Sequence, residues 1–492
     1  MAETLDDLRL LIRSRHPIIS IETREEHRAL IRVRQAAESV YFPCFVWNLV
    51  DGLQDCAHPG TLTTRPVEVL RHILAQTWAA VFVLEDFCTH LKDALGQRLL
   101  RQFAENAPAL RQTIVLVDPV TDLPEGLSRV AVPFQLSLPD EAELERIVRD
   151  TYKEHSRYLK IKSDLTQDQF NHLVSMLRGL TAQEAKLAVT RIMLDDNCLN
   201  ADDIPRLLAV KRELIDRGGV LEYVEPGEGL DSIGGLASLK KWLLKRAGVL
   251  TPEARAFGLE PPKGILMLGV QGCGKSAACK AVAAAWRLPL LRLDPGCLYD
   301  KFVGESERHL REAIQQAESM APIVLWIDEI EKAFAAAGAE SADGGLSKRM
   351  FGSLLNWLQD HKSPVFCAAT ANDIAALPPE LLRKGRFDEV FFLDLPDRDV
   401  RRDIFAIHLR KRKRQAEQFD LPALAGASDG FSGAEIEQAV ISALYAAFGA
   451  RRELTTADIV AELQATRPLS VTMAEKVAAL RAWAAGRCVP AG

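Results

Sequence analysis

Short apolar runs that end at polar residues recur along the chain, and segments with helical spacing lie between several of them. In the second half these runs are residues 264–268, 323–327 and 365–370. In the first half, comparable runs occupy 17–22 and 81–84. Runs of this length that alternate with helical segments are typical of buried strands in a parallel sheet. The pattern therefore predicts an α/β fold in which helices flank parallel sheets.

The order of these elements in the first half is similar to that in the second. A third apolar run, 113–117, follows the first two, and the strand-loop-strand segment at 123–140 parallels the segment at 377–397. Such parallels across a whole half are difficult to obtain from generic periodicity. We interpret them as a duplicated α/β fold. The alternative is that the first half is an unrelated α/β adaptor domain.

Composition and charge narrow the class of protein. A chain of 492 residues with 48% hydrophobic and 26% charged residues is typical of a soluble globular protein with about two to four domains. The net charge of −6 argues against nucleic acid as a partner. No run approaches the roughly 18 apolar residues of a membrane span, and no secretory signal is recognisable. We therefore expect a cytoplasmic location without membrane association. Because the nine cysteines form no C-x-x-C pair, we also expect reduced thiols and no structural zinc.

The run 264–268 leads directly into the pattern G-x-x-x-x-G-K-S at 269–276, and an alanine-rich helix follows. In such a loop the glycines let backbone N–H groups turn toward phosphate oxygens, and the helix N-terminus adds a favourable dipole. Lys275 would reach the β- and γ-phosphates, and the Ser276 hydroxyl would bind Mg²⁺. We therefore predict a site for ATP and Mg²⁺ whose residues include Gly269, Gly272, Cys273, Gly274, Lys275, Ser276 and Ala277.

Cys273 occupies a variable position of this loop. The helix dipole and the charge of Lys275 could lower the pKa of its thiol, which would permit redox control of the site. The plainer interpretation is that this position tolerates any small residue. The sequence favours the plainer interpretation without excluding the first.

The second run, 323–327, ends in the acidic pair Asp328 and Glu329. The carboxyl ends of neighbouring parallel strands meet at one edge of a sheet, so this pair is expected beside the phosphate loop. There Asp328 would orient the Mg²⁺ shell and Glu329 would polarise the attacking water. An acidic pair after a strand is by itself as often a solvated turn. Downstream of a phosphate loop it predicts a hydrolytic site.

The third run leads into Asn372, and the motif LLRKGRFD follows at 381–388. At this point the chain resembles the AAA clade of the AAA+ ATPases. The resemblance implies that Asn372 helps to position the lytic water. It also implies that Arg383 and Arg386 reach the γ-phosphate of a neighbouring subunit, where a planar guanidinium stabilises phosphoryl charge. A homo-oligomer, typically a hexamer, is the assembly that the resemblance implies.

Further segments resemble the two sides of the nucleotide pocket in this clade. LDSIGGL at 230–236 is similar to the entry segment that packs against adenine, and IH at 407–408 and GFSGAE at 430–435 are similar to the lid side. The resemblance implies nucleotide-binding roles for Ile233, Gly234, His408, Gly433 and Ala434. For His408, a satisfied structural histidine is nearly as good an interpretation. Gly433 and Ala434 stand where many AAA+ branches carry a second sensor arginine, which favours the AAA clade.

Between the phosphate loop and the acidic pair, the chain contains the sequence DKFVGESE at 300–307. In the AAA clade, an aromatic-hydrophobic-glycine triplet at this place is a pore loop that grips a polypeptide. The resemblance implies that role for Phe302, Val303 and Gly304, with Lys301 beside them. The alternative is that Phe302 is a core aromatic next to a turn.

In the first half, the turn after the first strand carries Glu25 and Glu26 where the second half has its glycines and lysine. Carboxylates would repel phosphate, so this copy is predicted to have lost nucleotide binding. The whole-chain pattern resembles the poorly characterised AAA ATPases encoded as open reading frames in plastid, cyanobacterial and other bacterial genomes. The predicted organisation is a degenerate AAA+-like domain with a helical lid at 1–216, a linker at 217–229, an AAA+ ATPase core at 230–398, a helical lid at 399–466 and a C-terminal helix at 467–492.

Three functions remain open on the sequence. The first is an oligomeric ATPase that remodels or disassembles an unidentified protein client, for which the triplet at 302–304 and the two arginines argue. The second is a slow nucleotide-gated scaffold that does not thread its partner, for which the large inactive first half argues. The third, a nucleic-acid motor, has only the basic run at 410–414 in its favour, and such a run is more often a solvated helix end.

Overall fold

The structure is a computed structural model that describes residues 4–55, 63–217, 219–250, 252–298, 305–335, 344–374, 376–383 and 385–492. The chain divides into two units, Met1–Leu207 and Leu208–Gly492. Within the described ranges, no helix is both long and apolar enough to cross a membrane.

The first unit alternates strands and helices, as its apolar runs predict. Its strands are β1 (Ile18–Glu22), β2 (Cys44–Asn48), β3 (Gly52–Asp55), β4 (Ala80–Glu85), β5 (Gln112–Asp118), β6 (Ala131–Phe134), β7 (Lys162–Ser163) and β8 (Cys198–Leu199). Its helices are α1 (Leu5–Arg13), α2 (Glu26–Ser39), α3 (Pro66–Leu74), α4 (Ala94–Leu110), α5 (Glu125–Ser128), α6 (Glu141–Ser156), α7 (Gln167–Met176), α8 (Ala182–Asp196) and α9 (Asp203–Arg217), the last of which continues into the second unit.

The main sheet of the first unit has the strand order β3-β2-β4-β5-β1-β6. All neighbours are parallel except β2 and β3. Alternate residues of β4 point to opposite faces of the sheet. Phe82 and Leu84 therefore join one core with α3 and α4, whereas Val81 and Val83 join the other with α1 and α2. Helices α6 to α8 follow the sheet in the chain and pack together as a helical subdomain.

The second unit has the same alternation. Its strands are β9 (Leu221–Val224), β10 (Gly264–Gly269), β11 (Leu290–Leu293), β12 (Ile323–Ile327), β13 (Val365–Ala371), β14 (Glu389–Leu393) and β15 (Val489–Pro490). Its helices are α10 (Ala237–Lys245), α11 (Pro252–Ala256), α12 (Lys275–Trp286), α13 (Glu305–Ser319), α14 (Lys332–Ala335), α15 (Gly344–Asp360), α16 (Arg398–Lys411), α17 (Leu421–Ala427), α18 (Gly433–Gly449), α19 (Thr456–Ala465), α20 (Leu469–Thr472) and α21 (Ala474–Ala484).

The sheet of the second unit has the strand order β15-β14-β10-β13-β12-β11-β9. Its central part, β14-β10-β13-β12-β11, corresponds strand for strand to β6-β1-β5-β4-β2 of the first unit. Among these five common strands, the first in the chain lies between the fourth and the fifth in both sheets. The carboxyl ends of the three central parallel strands consequently meet at one edge, which is where the sequence placed the phosphate loop, the acidic pair and Asn372.

Two edge strands were not expected from the sequence. The segment interpreted as a linker contains β9, which pairs antiparallel with β11. An edge strand exposes unpaired N–H and C=O groups, and the short β9 satisfies them along β11. At the other edge, β15 pairs parallel with β14 through Val489 and Phe391. The segment expected to be only a C-terminal helix therefore also completes the sheet.

The helices after β14 form a bundle with its own apolar core. Phe405 on α16, Leu424 on α17, Ile436 on α18 and Ile459 on α19 are buried together in it. Helix α18 begins at Gly433 because Ser432 caps it: the Ser432 hydroxyl accepts the Glu435 N–H, and the Glu435 carboxylate accepts the Ser432 N–H. This cap fixes the end of the bundle that approaches the phosphate loop.

Candidate functional site

The phosphate loop joins β10 to α12 in the second unit. Gly272 and Gly274 have φ of 77° and 88°, a backbone conformation that favours glycine. A Cβ at Gly272 would lie 2.7 Å from Ser432 Oγ, so no larger residue fits there. The Gly272 carbonyl accepts the Ala434 N–H at 3.0 Å. The loop is thus attached to the first turn of α18.

Gly269 has a different role from the one expected. It lies buried at the end of β10 and is not part of the cavity lining. With φ of 151°, its position would place a Cβ 2.0 Å from the Leu393 carbonyl oxygen of β14. Glycine is therefore required at position 269 so that β10 and β14 can approach closely. Gly269 contributes to the loop through its backbone conformation and not by contact with the cavity.

Lys275 is buried at the start of α12, with 7% of its surface exposed. Its ammonium donates to the carbonyls of Gly269 (2.8 Å) and Val270 (2.9 Å). Burial lowers the pKa of Lys275 to about 8, and the carboxylates of Asp328, Glu329 and Glu331 limit that shift. A phosphate would offer the Lys275 ammonium a full negative charge, whereas the two carbonyls offer only partial charges.

The Cys273 thiol does not show the reactivity that its position in the loop suggested. Burial raises its pKa to about 12, and the charge of Lys275 only partly opposes the rise. The thiol is therefore protonated at neutral pH, and a thiolate is the form that reacts with oxidants. The structure supports the interpretation of Cys273 as a small residue at a variable position.

Asp328 lies at the end of β12, beside the phosphate loop, and one carboxylate oxygen is held by each neighbouring strand. Its Oδ1 accepts the Thr370 hydroxyl of β13 at 2.9 Å, and its Oδ2 accepts an Arg292 guanidinium N–H from β11 at 2.7 Å. The same Thr370 hydroxyl accepts the Glu329 N–H at 3.0 Å. Thr370 therefore sets the position of both acidic residues.

Glu329 has the left-handed backbone conformation, with φ of 49°, which turns its side chain away from the strand direction. Asn372 Nδ2 donates to Glu329 Oε1 at 2.7 Å, and Lys332 Nζ lies 2.6 Å from Oε2. The sequence-predicted pair of Glu329 and Asn372 is thus in direct contact. Two donors hold the Glu329 carboxylate beside the loop.

Glu331, Thr370, Arg292 and Lys332 were not among the predicted site residues. Glu331 is buried, and its Oε1 accepts the Asn372 N–H at 2.8 Å. Burial raises the pKa of Glu331. A hydroxyl in the otherwise apolar run 365–371 and a second carboxylate two positions after Glu329 were signals that could have identified Thr370 and Glu331. Nothing in the sequence indicated the contact of Arg292 with Asp328.

A cavity of about 1060 Å³ connects these residues with the segment at 232–236 and with the bundle. The predicted residues that line it are Ile233, Gly234, Gly272, Cys273, Gly274, Lys275, Ser276, Ala277, Asp328, Glu329, Asn372, His408, Gly433 and Ala434. A Cβ at Gly234 would lie 2.6 Å from Ile404 Cγ1, so glycine lets the entry segment approach α16. The structure brings fourteen residues from distant parts of the sequence to one cavity.

His408 lies on α16 at the wall of this cavity, with Nδ1 3.4 Å from a Glu437 carboxylate oxygen. Burial lowers the pKa of His408 although Glu437 opposes the shift. The imidazole is consequently neutral at physiological pH and can exchange hydrogen bonds with a ribose or base. The contact with Glu437 is equally consistent with a structural role for His408.

The residues present fit a nucleotide with Mg²⁺. The glycine backbone at 272–274 and the uncapped first turn of α12 present N–H groups, and Lys275 adds a cation, which together match a polyphosphate. The exposed Ser276 hydroxyl and the Asp328 carboxylate are the oxygen ligands that Mg²⁺ prefers. These two residues would hold the ion. No separate metal-binding cluster of histidine, cysteine or carboxylate side chains occurs within the described ranges.

The predicted trans arginines lie outside the cavity. Arg383 is exposed, and Arg386 donates through Nη1 to the Glu380 carbonyl. Neither lines the cavity of its own chain. The predicted pore loop, Lys301 to Gly304, lies outside the described residues.

The comparison with known proteins agrees with this geometry. The family model for the ATPase family associated with various cellular activities (AAA) matches residues 265–395. Models for the N-terminal domain and the second domain of SpoVK-like AAA ATPases match residues 4–136 and 142–218. The matches therefore cover both the site and the preceding α/β unit.

Three curated relatives illustrate the similarity. The uncharacterized AAA domain-containing protein ycf46 of Pyropia yezoensis is 38% identical over 484 residues, which covers 97% of each chain. The proteasome-activating nucleotidase of Saccharolobus islandicus is 37% identical over 253 residues, 49% of this chain and 63% of the relative. The cell division cycle protein 48 homolog of Archaeoglobus fulgidus is 31% identical over 346 residues, 65% of this chain and 46% of the relative.

The predicted fold class and the predicted resemblance are both confirmed by these matches. The first relative matches nearly end to end, which means that the similarity includes the first unit and the C-terminal segment as well as the site. The relatives of the AAA family imply ATP hydrolysis and binding of a nucleotide with Mg²⁺. The chain belongs to the AAA ATPase family, in the group of the AAA domain-containing proteins ycf46.

Proposed function

We propose that this protein hydrolyses ATP in an Mg²⁺-dependent reaction and uses the cycle, as a cytoplasmic homo-oligomer and specifically a hexamer, to remodel or disassemble a protein partner. The observation that carries the catalytic part is the 2.7 Å contact of Asn372 with Glu329 on the wall that also carries Lys275 and Ser276. This contact supports Glu329 as the base and Asn372 as the residue that positions it, beside a loop whose geometry suits phosphate.

The roles of the residues follow from their contacts. Lys275 and the glycine backbone would bind the phosphates, and Ser276 and Asp328 would hold Mg²⁺, which would neutralise phosphate charge during hydrolysis. Glu329 accepts the proton of the attacking water, and the donors Asn372 and Lys332 orient its carboxylate. Thr370 keeps Asp328 and Glu329 in register with each other.

The experiment that tests the catalytic proposal separates binding from turnover. Lys275→Ala should abolish tight ATP binding because it removes the buried cation. Glu329→Gln should bind ATP normally but lose about 10²–10⁴-fold in turnover, since an amide cannot accept the proton. Asp86→Asn, at the corresponding strand end of the first unit, is the matched control and should have wild-type activity. Wild-type turnover by Glu329→Gln would remove Glu329 as the base.

The assembly part of the proposal depends on the two arginines. Arg383 and Arg386 do not line the cavity of their own chain, which is compatible with service to a neighbouring subunit. Arg383→Ala and Arg386→Ala should therefore bind ATP and hardly hydrolyse it. Mixing either with Glu329→Gln subunits should return part of the activity, because an intact Glu329 site can then meet intact arginines. Absence of recovery despite verified subunit exchange would contradict catalysis in trans.

The remodelling part draws on the names of two partial relatives, a proteasome-activating nucleotidase and a cell division cycle protein 48 homolog. The second candidate function is a slow nucleotide-gated scaffold, and the size of the first unit, which has no phosphate loop, favours it. Phe302→Ala distinguishes the two. A pore-loop residue should be dispensable for basal ATPase and melting temperature, whereas loss of a core aromatic should lower both. The second outcome would favour the scaffold.

A further inference from the structure

The C-terminal segment formed by α21 and β15 is built into the nucleotide-binding unit. The Ala491 N–H donates to the Phe392 carbonyl of β14 at 3.0 Å. The Ala491 carbonyl accepts the Ser238 and Leu239 N–H groups at the start of α10, at 3.0 and 3.2 Å. The segment therefore links the sheet edge to α10. It lies beyond residues 265–395, which the AAA family model matches.

This segment also supplies a wall of the nucleotide cavity. Arg481, Ala484, Gly486, Cys488 and Ala491 line it together with the phosphate loop. Four of these five residues are small or uncharged, so Arg481 is the member that can recognise an anion.

Arg481 is held by one end of its guanidinium only. Its Nε donates to both carboxylate oxygens of Asp394, at 3.0 and 2.8 Å, and Asp394 directly follows β14. Neither terminal nitrogen makes a hydrogen bond within the described part of the chain, and the side chain is 48% exposed. The Nη1 and Nη2 groups are thus oriented by Asp394 and available to a ligand in the cavity.

The charge of Arg481 acts on the phosphate loop. Burial raises the pKa of the Cys273 thiol, and the positive charges of Lys275 and Arg481 both oppose that rise, whereas Asp394 adds to it. A guanidinium that influences a residue of the loop is near enough to influence phosphates bound there. Without Arg481, the Asp394 carboxylate would present an uncompensated negative charge to the same place.

We propose that Arg481 is a nucleotide-binding residue whose terminal nitrogens bind the phosphate chain from the C-terminal side of the cavity. This inference rests on the proposed function. The bundle contacts the phosphate loop through Gly433 and Ala434, which carry no charge. The C-terminal helix would instead supply the cation, through Arg481. Arg481 would bind phosphate directly, with Asp394 as the residue that positions its guanidinium.

The experiment compares equilibrium binding of ATP, ADP and adenosine by the full-length wild type and by variants. Arg481→Ala should weaken ATP and ADP binding by about tenfold or more, because charged hydrogen bonds to the phosphates are lost, and should leave adenosine binding unchanged. Arg481→Lys should keep part of the affinity as a point charge. Arg487→Ala is the control, since Arg487 belongs to the same segment but does not line the cavity.

The double variant Arg481→Ala with Asp394→Asn distinguishes direct contact from mere neutralisation of Asp394. Direct contact predicts that the double variant binds ATP as weakly as Arg481→Ala. Recovery of wild-type affinity would overturn the proposal, as would unchanged ATP affinity in Arg481→Ala. An equal loss of ATP and adenosine binding with a lower melting temperature would also overturn it, because it would show a structural role. Failure of the wild type to bind ATP would instead refute the proposed function.

Discussion

The two sheets share the order of five parallel strands. The turn after the first of these strands, however, contacts its helical subdomain by different means in each unit. In the second unit, the glycine loop contacts α18 through one backbone hydrogen bond, from Ala434 to Gly272, and leaves a cavity between them. In the first unit, the Glu25 carboxylate accepts the N–H of Ala182, the first residue of α8, at 2.6 Å. In the first unit, a side chain of the turn therefore makes the contact with the helices.

A buried arginine completes this closure in the first unit. Arg28 donates through Nε and Nη2 to the two oxygens of Glu143 on α6, at 2.9 and 3.0 Å, and through Nη1 to Glu25 at 3.2 Å. Burial raises the pKa of Glu25, whereas the two-pronged contact with Arg28 holds the pKa of Glu143 below its usual value despite burial. The Arg28 guanidinium thus stabilises the carboxylate of Glu143 more than that of Glu25. The comparison teaches that one strand topology can leave a cavity between the turn and its helices or fill that place with internal charge.

The acidic strand ends diverge in the same way. Asp86 and Glu329 both have the left-handed backbone, with φ of 53° and 49°, so the turn is retained in both units. In the first unit, Glu85 of β4 pairs with Val117 of β5. In the second unit, Thr370 of β13 has the position that corresponds to Val117. A valine cannot form the hydroxyl contacts that hold Asp328 and Glu329 in place. The first unit keeps the backbone of a hydrolytic site without its positioning residue.

The largest expected effect tests the internal closure. Arg28→Ala should destabilise the first unit by about 3–5 kcal/mol, because Glu25 would remain buried without its counter-charge and Glu143 would keep only its ion pair with Arg32. Hydrogen exchange resolved along the chain should become faster in α2, α6 and α8. Arg129→Ala, an exposed ion pair in the same unit, should change little. If ATP restored the protection of α8, the first unit would bind nucleotide and the comparison would fail.

The next effect concerns the residue that distinguishes the two strand ends. Thr370→Val copies the first unit at nearly constant volume and should lower ATP turnover about 10- to 100-fold, because residues that orient metal ligands typically have effects of that size. ATP affinity in the absence of Mg²⁺ and the melting temperature should change much less. Val117→Thr is the reciprocal control. Unchanged turnover in Thr370→Val would show that Asp328 and Glu329 are positioned without the hydroxyl.

The pH dependence of ATP binding tests the role of Lys275, the buried lysine that the corresponding turn of the first unit lacks. The pKa of Lys275 is lowered to about 8 by burial, so its charge is present below that pH and is lost as the pH rises through it. ATP affinity should fall by about tenfold between pH 7 and pH 9, while the phosphates stay fully ionised. Titration of ATP binding across this range measures it. A flat profile up to pH 9.5 would show that Lys275 keeps its proton.

The smallest expected effect is at Cys273. Since burial raises the pKa of its thiol to about 12, alkylation by iodoacetamide at pH 7.5 should be much slower than in the unfolded chain. Cys273→Ala should change ATP turnover by less than about twofold. Peptide mapping after a timed reaction gives the rate for each cysteine. Rapid, selective modification of Cys273 would restore redox control as an explanation.

The motifs of the site could be identified from the sequence because each is local. The glycine loop, the acidic pair and Asn372 each follow an apolar run directly, and the parallel sheet places successive strand ends at one edge. This reasoning predicted the α/β class and the family, which are confirmed. It also assigned Asn372 and Glu329 to the same site, and the structure adds the direct contact between them. The domain boundaries and the trans arginines remain predictions.

What only the tertiary structure decided are the contacts between residues far apart in the sequence. Thr370 was hidden in an apolar run, and Arg292 contacts Asp328 only because β11 lies beside β12. Arg481 reaches the cavity because β15 returns the chain to β14. Local patterns specify a strand or a loop through backbone preferences, whereas such contacts depend on which strands become neighbours. The sequence alone determined the chemistry of the phosphate loop, and the packing of the sheets determined which side chains position and surround it.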